Sequence, residues 1–261
     1  MLIARFAFAA VFMSTTTAAV SDTLDHRQLL EILSEPEAHP SVIAVASGFG
    51  ASAGQVFATV SYTDKDQQTK RDGDDDGSIA LGFGFGDPDK SVGFELAIGI
   101  TSVSSPWWGD GKFGDEGNTN IKVHRRFNPT ILNGTSSASF GISNLWGWGG
   151  TKEIPQNLYL AYTEQGYFGR FNEYGASITA GYGTNVANGE NDSSFFGGIA
   201  VARSQINTSI SFIGDEIYYS GSFHPVIYPN LSITYSRAVP AGNISSGRNI
   251  LSLGHSFVIG G

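Results

Sequence analysis

The chain is predicted to be all-β and to form a single antiparallel transmembrane β-barrel of about twelve strands. Three observations predict it. Bulky apolar side chains alternate with small or polar ones, strand-length segments recur almost to the C-terminus, and the connections between them alternate between long and short. Charged residues make up only 15% of the chain, against about 25% in ordinary soluble domains, which fits a protein with little water-facing surface.

The two-residue alternation gives each segment two different faces. In residues 91–101 one face carries Val92, Phe94, Leu96, Ile98 and Ile100. The opposite face of the same segment carries Gly93, Glu95, Ala97 and Gly99. Residues 78–86, 175–183 and 206–213 repeat this division. Transmembrane β-strands have about 9–11 residues and alternate in the same way, so one face is expected to meet lipid and the other the lumen.

Turn-forming residues divide the chain into its predicted strands. The twelve segments are residues 54–63, 78–86, 91–101, 119–127, 136–146, 157–164, 175–183, 194–203, 206–213, 216–223, 229–236 and 249–258. Connections after odd-numbered segments are mostly long and those after even-numbered ones mostly short, as expected of an outer-membrane barrel with its long loops outside. Twelve strands also place both chain ends at the short-turn rim. Residues 42–49 could form a strand, but a thirteenth strand would reverse that placement, so they are left out.

A closed barrel answers a requirement that an open sheet cannot meet in lipid. Every backbone N–H and C=O in hydrocarbon needs a partner within the protein, and only closure removes the unpaired sheet edges. Aromatic side chains agree with this prediction, because they collect near both ends of the strands, where membrane interfaces favour them. Toward the long loops these are Tyr62, Trp107, Trp108, Trp146, Trp148, Tyr182, Phe195 and Phe196, and toward the short turns Phe83, Phe85, Phe94, Phe127 and Phe140.

The N-terminal part of the chain has a different character from the barrel. Arg5, the apolar run 6–13 and the small residues that follow indicate a signal peptide over residues 1–19. Residues 20–53 are predicted to be an N-terminal periplasmic helix and linker, with helical character over 22–34. Residues 54–261 are predicted to be the β-barrel.

With these features the chain resembles porin-like outer-membrane β-barrel proteins of Gram-negative bacteria. The resemblance is architectural and implies an outer-membrane location, contact with outer-membrane lipid and lipopolysaccharide, and possible oligomers. One feature departs from the pattern: such barrels commonly end on an aromatic residue, whereas Phe257 is followed by four further residues.

Small side chains on the predicted inner face favour one function over its alternatives. Because they leave room in the lumen, we expect an outer-membrane channel for passive diffusion of small hydrophilic solutes. Two alternatives stay open. One is a closed outer-membrane barrel with a structural or surface-binding role, and the other is a secreted soluble β-sandwich adhesin.

The polar face of residues 118–127 is the candidate functional site. Lys122, His124 and Arg126 share one face of this segment, and Glu95 is the inward charge of the preceding one. These four residues are predicted to line the pore. They would either form a charged constriction that sets ion preference or satisfy one another as a structural ion-pair network.

The acidic loop 64–77 contains a candidate calcium site. Asp72, Asp74 and Asp76 match the start of a D-x-D-x-D-G calcium loop, with Ile79 at the customary apolar position. The twelfth position holds Phe83 in place of the expected glutamate. A solvated acidic loop is therefore the competing interpretation.

Composition and motifs argue against several other functions. The net charge of −9 argues against nucleic-acid binding, and the absence of cysteine excludes disulfides, thiolate metal sites and a cysteine nucleophile. Residues 50–54 match the G-x-S-x-G nucleophile elbow, but that turn needs a following helix and a strand pattern follows here. The chain is therefore predicted not to be an enzyme.

Overall fold

A computed structural model describes most of the predicted barrel. The described residues are 40–64, 76–101, 103, 113–128, 131–132, 134–169, 173–186, 193–228, 230–240 and 247–259. All of these residues belong to one compact unit, Glu35–Gly261. The predicted signal peptide and N-terminal helix lie outside the described residues and stay predictions.

The described chain forms a closed barrel of twelve antiparallel strands, which confirms the predicted fold class. The strands are β1 (Gln55–Thr63), β2 (Asp76–Gly86), β3 (Gly93–Ile100), β4 (Gly117–Phe127), β5 (Gly134–Trp148), β6 (Asn157–Phe168), β7 (Tyr174–Gly183), β8 (Ser194–Arg203), β9 (Ile206–Ile213), β10 (Glu216–Phe223), β11 (Leu231–Pro240) and β12 (Arg248–Val258). A short 3-10 helix, Gly149–Glu153, follows β5.

Each strand pairs with its neighbour in sequence, and β1 pairs with β12 to close the barrel. The closing register runs from Gln55 opposite Val258 to Thr63 opposite Ile250. This pairing leaves neither strand with an unpaired edge, as a chain in hydrocarbon requires. It also shows that the β-sandwich alternative is wrong, because two stacked sheets would not form one closed ring of strands. Among the described residues, no helix is both long and apolar enough to cross a membrane.

One irregularity interrupts the ladder between β4 and β5. The register shifts between Thr119 and Ile121, and Asn144 adopts a left-handed backbone with φ of 54°. The Asn144 amide N–H donates to the Asn120 side-chain oxygen, and the Asn144 side chain donates to the carbonyls of Thr151 and Ile154. The bulge therefore anchors the 3-10 helix to the rim of the barrel.

The outer face of the barrel is apolar from rim to rim. Exposed aliphatic side chains from around the ring include Leu81, Ile98, Leu160, Ile178, Ile199, Ile210, Ile233 and Leu251. Exposed aromatic side chains lie toward both rims and include Tyr62, Trp146, Tyr182 and Phe195 at the long loops and Phe85, Phe127, Phe168 and Phe257 at the short turns. Trp107 and Trp108 lie outside the described residues. An apolar belt between two aromatic girdles is the surface of a transmembrane barrel.

The inner face combines polar side chains with one buried apolar cluster of Tyr159, Ala161, Val186 and Phe196, and residues 40–53 lie against it. We call residues 40–53 the lumen segment. Fully buried inward side chains include Ser137, Thr163, Ser177, Asn207 and Ser211. Several of these contact the lumen segment, so this part of the predicted periplasmic linker lies within the barrel.

Candidate functional site in the barrel lumen

The structure brings the four predicted pore-lining residues together on the inner wall. Glu95 on β3 lies directly opposite Lys122 on β4, and His124 and Arg126 follow on the same face of β4. The Lys122 ammonium lies 3.1 Å from Glu95 Oε1, and the two side chains are only 14% and 15% exposed. We call these four residues the polar cluster.

Each member of the polar cluster also contacts the lumen segment. Lys122 Nζ donates to the Phe49 carbonyl at 3.1 Å, and the Ala51 N–H donates to Glu95 Oε2 at 2.8 Å. Arg126 binds Asp89 on the short turn at 3.1 Å and reaches the Ser52 hydroxyl at 3.4 Å. The cluster is thus both an ion-pair network and an anchor for the main chain that crosses it.

His124 is fully buried between two glycines that leave room for its ring. Its Nε2 lies 3.1 Å from the Ala51 carbonyl, and since a carbonyl can only accept, Nε2 must carry the proton. Nδ1 has no hydrogen-bond partner among the described residues. A Cβ added at Gly50 or Gly93 would lie 2.6 or 2.5 Å from the imidazole. The ring therefore fits only where both neighbouring backbones lack a side chain.

Other wall strands hold the lumen segment in the same manner. On β5, Ser137 Oγ lies 2.7 Å from the Gly48 carbonyl and Ser139 Oγ lies 2.9 Å from the Ser47 carbonyl. On β6, Thr163 Oγ1 accepts from the Gly48 N–H at 2.8 Å. Side-chain hydroxyls thus satisfy main-chain groups that a neighbouring strand would satisfy in a sheet.

The N-terminal end of the lumen segment is bound by β9. The Asn207 amide pairs with Ser41 in both directions, accepting from its N–H at 3.3 Å and donating to its carbonyl at 2.9 Å. The Ile43 N–H donates to Ser209 Oγ at 3.3 Å, and Ser211 Oγ donates to the Ile43 carbonyl at 2.6 Å. The segment is therefore held from β9 around to β3.

A second polar group inside the barrel was missed from the sequence. Arg248 on β12 binds Glu216 on β10 through two contacts of 2.5 and 2.7 Å, and Tyr218 joins both side chains. Residues 237–248 were predicted to be a loop, so Arg248 had no assigned face. The alternation of β10 was the available signal, because it places Glu216 inward, where a carboxylate needs a cation.

Two other predicted sites have different outcomes. Asp72 and Asp74 lie outside the described residues, and only the backbone of Asp76 is described, so calcium binding stays a prediction. Among the described residues, no cluster of three potential metal ligands occurs. The Gly50–Gly54 motif precedes β1 directly, so it lacks the helix that a nucleophile elbow requires.

Comparison with known proteins supports the fold. No family model matches the chain, and no curated protein sequence matches it. The structure is similar to that of the KdgM porin, with a TM-score of 0.50, 8% identity, and coverage of 78% of this chain and 99% of that one. Weaker similarity extends to the COG4313 outer membrane channel from Pseudomonas putida F1, with a TM-score of 0.46, 10% identity, and coverage of 82% and 100%. The KdgM similarity confirms the β-barrel fold, and the apolar exterior is that of a transmembrane barrel.

Because the Glu95–Lys122 pair is buried, removing one partner is predicted to lower the stability of the protein strongly. Lys122→Ala should lower the free energy of unfolding by about 3 kcal/mol, because it leaves the buried Glu95 carboxylate without its cation. Urea titration of the protein in lipid vesicles would measure the change. The matched control is Lys90→Ala, which removes the same side chain from an exposed pair with Asp87 on the short turn.

The control should leave stability essentially unchanged, since solvent screens exposed pairs. In that pair, hydrogen bonding from the Lys90 side chain lowers the pKa of Asp87 below its ordinary value. Equal effects of the two alanine variants would contradict the burial of the polar cluster.

Proposed function

We propose that this protein is an outer-membrane channel through which small hydrophilic solutes diffuse passively. The observation that carries the proposal is the contrast between the two barrel faces. The outside is apolar, while many inward side chains are serine, threonine or asparagine, and the large inward side chains Tyr159 and Phe196 pack together in one buried cluster. The hydroxyl and amide groups of the inner wall can hydrogen-bond to water and polar solutes.

The size of the barrel supports the same proposal. Eight-stranded barrels are just wide enough for their own side chains to fill, and barrel diameter grows with strand number. Twelve strands with mostly small inward residues therefore enclose more space than the wall itself fills. The lumen segment takes up part of that space, which favours small solutes over large ones.

The polar cluster is proposed to set the ion preference of this path. Lys122 is paired with Glu95 and Arg126 with Asp89, and the lumen segment crosses directly over the cluster. An ion passing along this wall would meet these paired charges in a confined, weakly screened space, and removing the two cations would leave the two carboxylates unbalanced.

A second candidate function has a specific observation in its favour. The hydrogen bonds from β3, β4, β5, β6 and β9 to the lumen segment would also suit a closed barrel with a structural or surface-binding role. Contact with lipopolysaccharide and oligomerisation stay predictions under either function.

Conductance in planar lipid bilayers tests the choice between the two candidates. A channel predicts discrete current steps from folded protein, and swelling of protein-containing vesicles in small sugars but not in large ones. The folded state is verified by the different gel mobility of heated and unheated protein. Folded protein that gives neither current nor swelling would contradict the channel and favour the closed barrel.

Charge selectivity tests the role assigned to the polar cluster. Lys122→Gln combined with Arg126→Gln should shift the reversal potential in a salt gradient toward cation preference, because two positive charges leave the lumen. The matched control removes two positive charges elsewhere with Lys90→Gln and Arg203→Gln, since Arg203 is exposed and covers the Tyr174 ring. Equal reversal potentials in both double variants would show that the cluster has only a structural role.

A further inference from the structure

The lumen segment is recognised mainly through its main chain. Its carbonyl groups accept from Ser137, Ser139, Lys122 and Ser211, and several of its N–H groups donate to wall side chains on β3, β6 and β9. These contacts bind the main chain of an extended segment, and the side chains of Val45 and Ala46 pack against the buried cluster that contains Tyr159 and Phe196.

Close approach at both surfaces restricts which polypeptides fit. On the segment, a Cβ at Gly48 would lie 2.0 Å from the Ser137 carbonyl oxygen. On the wall, a Cβ at Gly84 would lie 2.3 Å from the Ala51 carbonyl oxygen, and one at Gly198 would lie 2.7 Å from the Val42 side chain. The close approach therefore requires glycine at position 48 of the segment and at positions 84 and 198 of the wall, and the Val42 side chain occupies the space that Gly198 leaves.

The lumen segment is joined to the wall without being part of the sheet. Residues 40–52 have no strand pairing, whereas β1 begins at Gln55 with a full ladder on both sides. The main-chain bonds between segment and barrel begin where Ala53 and Gly54 donate to Gly86 and Gly84. The segment can therefore leave the wall while every strand of the barrel keeps its partners.

From these three observations we propose that the inner wall of β3–β9 is a binding site for an extended polypeptide with glycine at the position of Gly48. Residues 40–53 occupy this site as an exchangeable occupant, and their departure widens the lumen. The second part rests on the proposed channel function. The first part does not, because binding is measurable without any current.

Binding of a free peptide tests the site directly. In the full-length Gly48→Val variant, the added side chain meets backbone atoms of Ser137 and Thr163, so the chain's own segment is displaced and the wall keeps its native sequence. A fluorescent peptide with the sequence of residues 40–53 should then bind this variant in detergent, measured by fluorescence anisotropy. Wild-type protein should bind the same peptide at least about tenfold more weakly, because its tethered segment competes at an effective concentration in the millimolar range.

Two controls separate binding at this site from binding elsewhere. Gly221→Val places the same substitution where the nearest atom to an added Cβ is 3.9 Å away, so its segment stays seated and the peptide should not bind. A peptide that itself carries Gly48→Val should fail to bind any of the proteins. Failure of the native peptide to bind folded Gly48→Val protein, or equal binding to all three proteins, would overturn the proposal.

A disulfide lock tests exchange without displacing the segment. Ser47 Oγ lies 3.3 Å from Thr163 Oγ1, and the chain has no cysteine, so Ser47→Cys with Thr163→Cys should form one defined bond. While the disulfide is intact, the protein should not switch to a larger conductance, and thiol reagents should not modify either cysteine. Reduction of the disulfide should restore both the switching and the modification. The control pair is Ser61→Cys with Ser252→Cys, which joins β1 to β12 at side chains 2.8 Å apart and leaves the segment free.

The outcomes distinguish this inference from the proposed function. Identical current in the oxidised and reduced Ser47–Thr163 pair, with the disulfide verified by mass spectrometry, would overturn the exchange. Peptide binding to the Gly48→Val variant without current in any protein would instead remove the channel and leave the binding site in place.

Discussion

The requirement that backbone polar groups find partners where water is scarce governs this structure. In the barrel wall the requirement is met by closure, because β1 pairs with β12 along its length as well as with β2. An open edge in hydrocarbon would leave a row of N–H and C=O groups unsatisfied, each costing several kcal/mol. The apolar outer side chains then cover a wall whose own hydrogen bonding is complete.

The same requirement explains the interior. Residues 40–52 have no neighbouring strand, so wall side chains such as Asn207, Thr163 and Glu95 bind their main-chain groups. On β5, β6 and β9 several of these wall residues are short, because the segment passes close enough for a hydroxyl or an amide to reach it. Small inward side chains, which suggest an open pore from sequence, therefore also make room for an occupant.

The strands could be predicted from sequence because lipid and lumen impose a two-residue period on each of them. β8, β9 and β10 have the predicted bounds, and elsewhere the differences are a few residues at strand ends. The position of residues 40–53 could not be predicted, because side chains scattered over several strands hold them and such contacts leave no period. Excluding them from the strands was correct, and their prediction as part of a linker gave no indication of their contacts with the inner wall. The pairing of Glu216 with Arg248 could not be predicted either, because the predicted twelfth strand begins at residue 249 and leaves Arg248 in the preceding loop.

The central claim is that one face of each strand meets lipid and the other meets the lumen. Single cysteines along β9, each labelled with an environment-sensitive fluorophore in vesicles of brominated lipid, test it most directly. The account predicts strong quenching at Thr208, Ile210 and Phe212 and weak quenching at Asn207, Ser209 and Ser211, as their exposure and burial require. Quenching that does not alternate along the strand would contradict the account.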